Sequence, residues 1–251
     1  MEGAKAWIAL TNDVSEWPSP RHEQDLFDVT VDMVRGLHVR TLISLGPGSA
    51  EKDKKLAINL RIHEPWLEYI GVDISDSLFQ NAMLQLTSIA RIRIGILGDF
   101  EDRFAFIENQ VNRHVRRPAL LFLTGNTLGN IDGSEREFLN RIRLMMTGDD
   151  YLLFDVSVAG PKWTREIDPR ANHAGYPNSY RTFFARGISL KTGEPIDTIV
   201  ASFEERFEFA EGSSSIGGAH AIDIIQKNPR NKLAIIRRYD LVDSTTQCII
   251  E

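Results

Sequence analysis

The sequence predicts an α/β fold built on a parallel sheet, and three observations predict it. Short apolar runs alternate with amphipathic segments from Thr41 to Val156. Such alternation gives parallel strands joined by crossover helices. The first run stops abruptly in Gly46-Pro47-Gly48, and a helix-compatible segment follows at once. Finally, Gly46, Asp73, Asp99, Gly125 and Asp155 all stand at the carboxyl ends of successive runs, the edge where such sheets hold ligands.

The elements follow in order. Residues 1 to about 20, with Trp7, Trp17, Pro18 and Pro20, read as an irregular lead. Asp25 to Arg35 is a helix candidate whose apolar face is Leu26, Phe27, Val29, Val31, Met33 and Val34. The strands are Thr41–Leu45, Tyr69–Ile74, Ile92–Leu97, Ala119–Leu123 and Tyr151–Val156. The helices between them are Glu51–Ile62, Ser77–Ser88, Phe104–Asn112 and Ser134–Met146. Beyond Val156 the pattern breaks. Pro161, Pro169, Pro177, Gly160, Gly175 and Gly187 argue against one long helix up to about residue 193. Trp163, Tyr176, Tyr180, Phe183 and Phe184 make this stretch aromatic. A structureless stretch this long is usually functional, which suggests an acceptor lid; an ordinary packed insertion is the alternative. Ile199–Phe209 alternates as a strand, and Ala219–Gln226 and Leu233–Tyr239 read as two more, joined at Asn228-Pro229. The expected organisation is an α/β core over 1–156, an insertion over 157–218, and strands over 219–251 that complete the core sheet.

The glycine turn and the carboxylate of Asp73 define the chemistry. Two positions without a Cβ let backbone approach a ligand, and the amides of the following helix start face the same space. An acid at the next strand tip suits ribose hydroxyls. A dinucleotide fingerprint needs a third glycine where Glu51 stands, and no G-x-x-x-x-G-K-[ST] phosphate loop is present. S-adenosylmethionine has no phosphates. It needs an acid for its ribose, an apolar slot for its adenine and a cation or amides for its carboxylate. Lys52, in the first helical turn, opposes the helix dipole and either grips an anion or belongs, with Lys54 and Lys55, to a solvated face. Asp99 and Phe100 follow the third strand and could bond and cover an adenine, or form a polar turn over a core aromatic.

Composition narrows the partners. The chain has 251 residues and a net charge of −6, which argues against a nucleic-acid partner. One cysteine, Cys248, allows no intramolecular disulfide and suits a reducing cytoplasm. No cysteine–histidine cluster points to a metal. No run reaches the ~20 apolar residues of a membrane span, and the start lacks the apolar core of a signal peptide. His22, His38, His63 and His114 fall on surface or helical segments, whereas His173 and His220 fall in the variable region. Arg113, His114, Arg116 and Arg117 precede a strand at its amino end and read as a solvated edge.

A resemblance adds to this reading. The ordered runs from Leu42 to Lys52, Val72-Asp73-Ile74-Ser75, Gly98-Asp99-Phe100-Glu101, Leu121 to Asn130, and Phe138 to Asp149 are similar to the histidine-specific N-methyltransferase family. Members are S-adenosylmethionine-dependent enzymes of the ergothioneine-pathway type with a Rossmann-like class I methyltransferase fold. The resemblance implies that Gly46, Gly48 and Lys52 line the methionine end of the cofactor, with Pro47 between them. It implies that Asp73, followed by Ile74, holds the ribose, and that Asp99 with Phe100 holds the adenine. Thr124 and Gly125 would lie close to the cofactor, and Asn130 would orient the acceptor amine. Read from the residues alone, Asn130 is equally a turn asparagine capping the next helix. Tyr176 and Tyr180 are the expected acceptor-binding residues of the insertion. The family's tyrosine and Glu-x-Ser elements for the amino acid have no identifiable counterpart in 157–218. The expected activity is therefore methyl transfer to a small amine or amino-acid nitrogen, yielding S-adenosylhomocysteine, with free histidine disfavoured. A methyltransferase for a macromolecule, or a cofactor-binding partner without turnover, are the alternatives.

Overall fold

A computed structural model describes residues 28, 31–124, 127–128, 131, 135–155, 157–159, 178–211, 220–228 and 233–243. In 157–159, 178–180, 204–211, 220–228 and 233–243 it describes the backbone alone, as it does at 191. The chain divides into two compact units between Asp155 and Val156.

The first unit contains β1 (Thr41–Leu45), α1 (Glu51–Leu60), β2 (Glu68–Asp73), α2 (Asp76–Gln85), β3 (Ile92–Leu97), α3 (Phe104–His114), β4 (Ala119–Leu123), α4 (Glu135–Met145) and β5 (Tyr151–Phe154). The sheet order is β3-β2-β1-β4-β5 and every pairing is parallel. This is the α/β class with the parallel sheet the sequence predicts, and its strand order is Rossmann-like. Strands β1, β2 and β4 are buried along their whole length, as expected of parallel strands covered on both faces. The edge strand β3 is half-exposed. A core cluster of Leu42, Leu56, Leu60, Tyr69, Leu86 and Phe122 joins the strands to α1 and α2. Val31 and Val34 pack into the same cluster, so the described part of the first helical segment lies on the core as expected.

The order reverses between β1 and β4: the chain steps outward through β2 and β3, then returns to β4 on the other side. Loops from neighbouring strands diverge there and leave a crevice beyond the carboxyl ends.

The second unit contains β6 (Ser157–Ala159), α5 (Asn178–Thr192), α6 (Ile196–Ala201), β7 (Glu204–Glu211), β8 (His220–Asn228) and β9 (Leu233–Asp243). Two expectations need correction here. Residues 178–192 are helical despite Gly187, because a Cβ there would meet open space. A glycine on an open helix face costs only about 1 kcal/mol relative to alanine. Gly193, at φ +75°, then ends the helix by donating to Ser189 O at 2.8 Å. Likewise Ile196–Ala201 is helical, and the alternating strand starts only at Glu204. Ala185, Ile188 and Ile199 form the buried seam between the two helices.

The last strands are present. They form their own sheet, β6-β9-β8-β7. β7, β8 and β9 pair antiparallel in chain order through short connections, and β6 pairs parallel with β9. Sequential hairpins satisfy their inward-facing hydrogen bonds locally.

Candidate functional site

The turn after β1 is held open by three left-handed residues. Gly46, Gly48 and Ala50 have φ of +79°, +55° and +59°. Glycine adopts this region freely; Ala50 does so at a cost of roughly 1–2 kcal/mol. Pro47 between them is buried. Gly46 N–H donates to Val72 O at 2.8 Å, tying the turn to the end of β2, and Ala50 N–H donates back to Pro47 O at 2.8 Å. The helix α1 thus starts without a side-chain cap, its first turn facing the crevice side of the sheet.

Asp73 ends β2 beneath this turn. Its side chain is almost wholly buried, and backbone amides hold it: Gly48 N–H donates to Oδ2 at 3.3 Å and Ser75 N–H to Oδ1 at 2.8 Å. Burial raises its carboxyl above the usual carboxylate range, while the amides of Ser75, Gly48 and Ile74 pull it back. An ionised carboxylate has about four acceptor sites, so it can still receive a ligand hydroxyl. Ile74 itself points outward and is 67% exposed.

Three strand tips converge on Gly46. A Cβ built there would stand 3.7 Å from Phe100 Cζ and 3.5 Å from Thr127 Oγ1. Phe100 follows β3 and leans on Phe138 of α4, with ring centroids 6.0 Å apart. Thr127 follows β4 and donates its hydroxyl to Thr124 O at 2.8 Å. Asp99 is occupied locally, accepting from Glu101 N–H at 2.8 Å. On the far side, Lys52 Nζ approaches Asp155 Oδ2 to 3.9 Å, so Lys52 leans across the crevice toward the tip of β5 instead of joining a solvated lysine face. Together the crevice presents backbone amides, a buried acid, an aromatic ring and a cation. Those groups suit a ligand with vicinal hydroxyls, a flat ring and a carboxylate.

One cluster was not foreseen. Tyr69 of β2 donates its hydroxyl to Asp53 Oδ1 at 2.9 Å, and the hydroxyl of Ser44 on β1 favours the ionised form of the same carboxylate. All three side chains are buried. Burial pushes the Asp53 carboxyl up to about 6, against the two hydroxyls and the Lys52 charge. A signal existed: Asp53, Leu56, Ala57 and Leu60 share the buried stripe of α1 at the i, i+3, i+4, i+7 spacing of a core face.

At the amino end of the sheet, Arg117 is not a solvated edge. It pairs with Asp150, whose side chain has no exposed surface. His38 and His63 meet edge to face at 5.5 Å. Among the described residues no group of three potential ligands could hold a metal, and no helix is long and apolar enough to cross a membrane. Gly125, Asn130, Tyr176 and His173 lie outside the described residues, as do the side chains of Tyr180 and His220.

A family model described as histidine-specific methyltransferase, SAM-dependent, matches residues 1–162. A histidine N-alpha-methyltransferase of Mycolicibacterium smegmatis is 27% identical over 155 residues, covering 60% of this chain and 46% of that protein. The chain thus spans about half the length of the curated relative it matches. Among solved structures, an O-methyltransferase from Bacillus cereus in complex with S-adenosylhomocysteine is 13% identical over 84% of each chain, at a TM-score of 0.44. The N-methyltransferase NodS from Bradyrhizobium japonicum, also with S-adenosylhomocysteine, is 11% identical over 83% of this chain and 92% of that one, at 0.42.

Proposed function

Because the chain belongs to the histidine-specific, S-adenosylmethionine-dependent methyltransferase family, we propose that it methylates a nitrogen of a small amine or amino acid. The observation that carries this reading is the buried carboxylate of Asp73, held by the Gly48 and Ser75 amides under a glycine turn. Asp73 receives the ribose hydroxyls, Phe100 covers the adenine and Asp99 bonds its amine. Lys52 and the amides of the turn meet the methionine carboxylate. When bound, S-adenosylmethionine supplies an electrophilic methyl: a nitrogen–carbon bond forms as the carbon–sulfur bond breaks, its electron pair staying on sulfur. The protein's part is alignment, which is what an in-line displacement needs most. A neutral amine carries its own lone pair, so the site must take the deprotonated form and release the proton of the product to solvent.

Two titrations test the cofactor half. The wild-type chain should bind both S-adenosylmethionine and S-adenosylhomocysteine in calorimetry. Asp73→Ala removes a charge-assisted pair of about 1.5–3 kcal/mol, so affinity should fall roughly ten- to hundredfold. A loss below twofold means that the acid does not touch the ligand.

The acceptor half rests on the chain beyond residue 162, where the family match ends. The region 157–218 has no identifiable tyrosine and Glu-x-Ser elements. This supports an acceptor other than free histidine, or one held differently. A methyl-transfer screen over free amino acids and small amines decides it; efficient trimethylation of histidine refutes it. Asn130 is proposed to orient the acceptor nitrogen. Asn130→Ala should leave cofactor affinity within a few-fold and slow single-turnover methylation by about tenfold, or roughly 1.4 kcal/mol. A lower melting temperature with normal turnover would make Asn130 a helix cap instead.

A further inference from the structure

Ser44, Asp53 and Tyr69 are buried, and they lie close in sequence to the turn and to Asp73. Ser44 lies two residues before Gly46, and Asp53 lies three residues after Ala50. Tyr69 lies four residues before Asp73 on β2. The Tyr69–Asp53 bond therefore ties α1 to β2, the elements whose ends carry Lys52 and Asp73. Just before Asp53 the backbone holds left-handed geometry at Gly46, Gly48 and Ala50. Of the three only Ala50 is strained by it, and such strain persists only where the surroundings over-determine it. Nothing else buried at these two flanks is ionisable: Ser44 and Asp53 are the buried polar residues of the β1–α1 segment after Thr41.

We propose that Asp53 is a positioning residue: its ionised carboxylate, gripping the Tyr69 hydroxyl, clamps the Gly46–Ala50 turn in the shape that binds the cofactor. This rests on the reading of that turn as the S-adenosylmethionine site. The ionised form accepts the Tyr69 hydroxyl strongly; the protonated form is a weaker acceptor and itself needs a partner for its proton. The clamp also opposes stability, which a merely structural bond would not. The folded-state value of about 6 lies above the ordinary 3.8 because of burial. Below about 4 the group adds no penalty; as pH rises toward 6 the buried charge forms and stability falls, staying lower above that. A cost sustained at neutral pH, beside a binding turn, is what a functional carboxylate looks like.

The charged and titratable groups around Asp53 are Lys52 on its own helix, Tyr69 on β2, and Asp73 at the tip of β2. Burial also raises Asp73, so a single pH profile mixes two acids. The test is therefore a ratio. The dissociation constant of S-adenosylmethionine is measured by calorimetry from pH 5 to 8 for the wild type and for Asp53→Asn, together with melting temperatures. The titration of the ligand and of Asp73 cancels in the ratio of the two constants. Asp53→Asn should bind about tenfold more weakly at pH 8 and like the wild type at pH 5, with a melting temperature at pH 8 no lower than the wild type's. Equal affinity at pH 8 overturns the proposal, as does a loss of binding that is the same at every pH. If Asp53→Asn does not fold, Tyr69→Phe keeps the carboxylate but removes one donor that lowers its pKa. The midpoint of its binding profile should then move upward, and an unmoved midpoint overturns the clamp. A wild-type chain that fails to bind at any pH refutes the cofactor reading, and the inference with it.

Discussion

Gly48→Val should abolish measurable S-adenosylmethionine binding while the far-ultraviolet circular dichroism stays native. Gly48 does two things at once. It holds φ at +55°, and in that conformation its N–H reaches Asp73 Oδ2 at 3.3 Å. A β-branched residue is a genuine outlier in the left-handed region, where even alanine costs roughly 1–2 kcal/mol. Valine will therefore escape to an extended conformation. Rotating the peptide swings the N–H off Asp73 and leaves a carboxylate already raised by burial with one fewer donor. The binding surface loses its amide and its acid together, and affinity should drop by at least about a hundredfold, near 2.7 kcal/mol. Gly48→Ala is the graded control: Ala50 shows that this chain tolerates alanine at φ +59° two residues on, so Gly48→Ala should retain weakened binding. The secondary structure survives because the strain is confined to a loop, while β1, β2 and α1 keep their own hydrogen bonds. Unchanged affinity in Gly48→Val would place the cofactor elsewhere.

The parts of this site that were legible in the sequence are those that obey local rules. A glycine turn after an apolar run and an acid at a strand tip are written in consecutive residues, and Gly46, Gly48 and Asp73 stand where the sequence predicts. Phe100 was readable as an aromatic at a strand tip, but its meeting with Gly46 and Thr127 follows only from strands β1, β3 and β4 ending at one edge. Asp53 was hidden by its neighbours. Within Glu51-Lys52-Asp53-Lys54-Lys55 it reads as one more solvated charge, and only its helical phase with Leu56 and Leu60 betrays burial. Tyr69 was hidden the opposite way, as an ordinary core aromatic in an apolar strand whose hydroxyl needs a partner. Past residue 156 the sequence misled through its punctuation. Gly187 looked like a breaker, but a glycine with open space around it merely weakens a helix. The alternation from Ile199 onward ran a helix and a strand together, because six residues of helix are too few to show a period.

The largest expected loss of stability lies at the opposite end of the sheet, in Asp150→Ala. The Asp150 side chain has no exposed surface. It accepts from Ala119 N–H at 2.7 Å, Thr147 N–H at 2.7 Å and the Thr147 hydroxyl at 3.0 Å, and it pairs with Arg117. Arg117 in turn donates to Asn112 Oδ1 at 3.1 Å and to Met145 O at 2.8 Å. One carboxylate thus fastens the entry of β4, the end of α4 and, through Arg117, the end of α3. Alanine would strip partners from the buried Ala119 amide, the exposed Thr147 amide and a largely buried guanidinium whose charge burial already disfavours. Removing one member of a buried pair costs about 3–5 kcal/mol. Arg117 keeps some solvent, with 24% of its side chain exposed, so the lower figure of about 3 kcal/mol applies. At roughly 2–4 °C per kcal/mol for a chain of this size, the melting temperature should fall by about 6–12 °C. Arg117→Ala should cost less, because Asp150 would keep its three remaining donors while the loss of Asp150 orphans several groups at once. Asp150→Asn, which preserves an acceptor oxygen, should fall between the wild type and Asp150→Ala. Below the transition, cofactor affinity should stay within twofold of the wild type in all three variants, since the network lies at the amino ends of the strands and the crevice at their carboxyl ends. Differential scanning calorimetry orders the three. A fall in Asp150→Ala of less than about 3 °C, or a larger fall in Arg117→Ala, would mean that the guanidinium and not the carboxylate organises this end of the sheet.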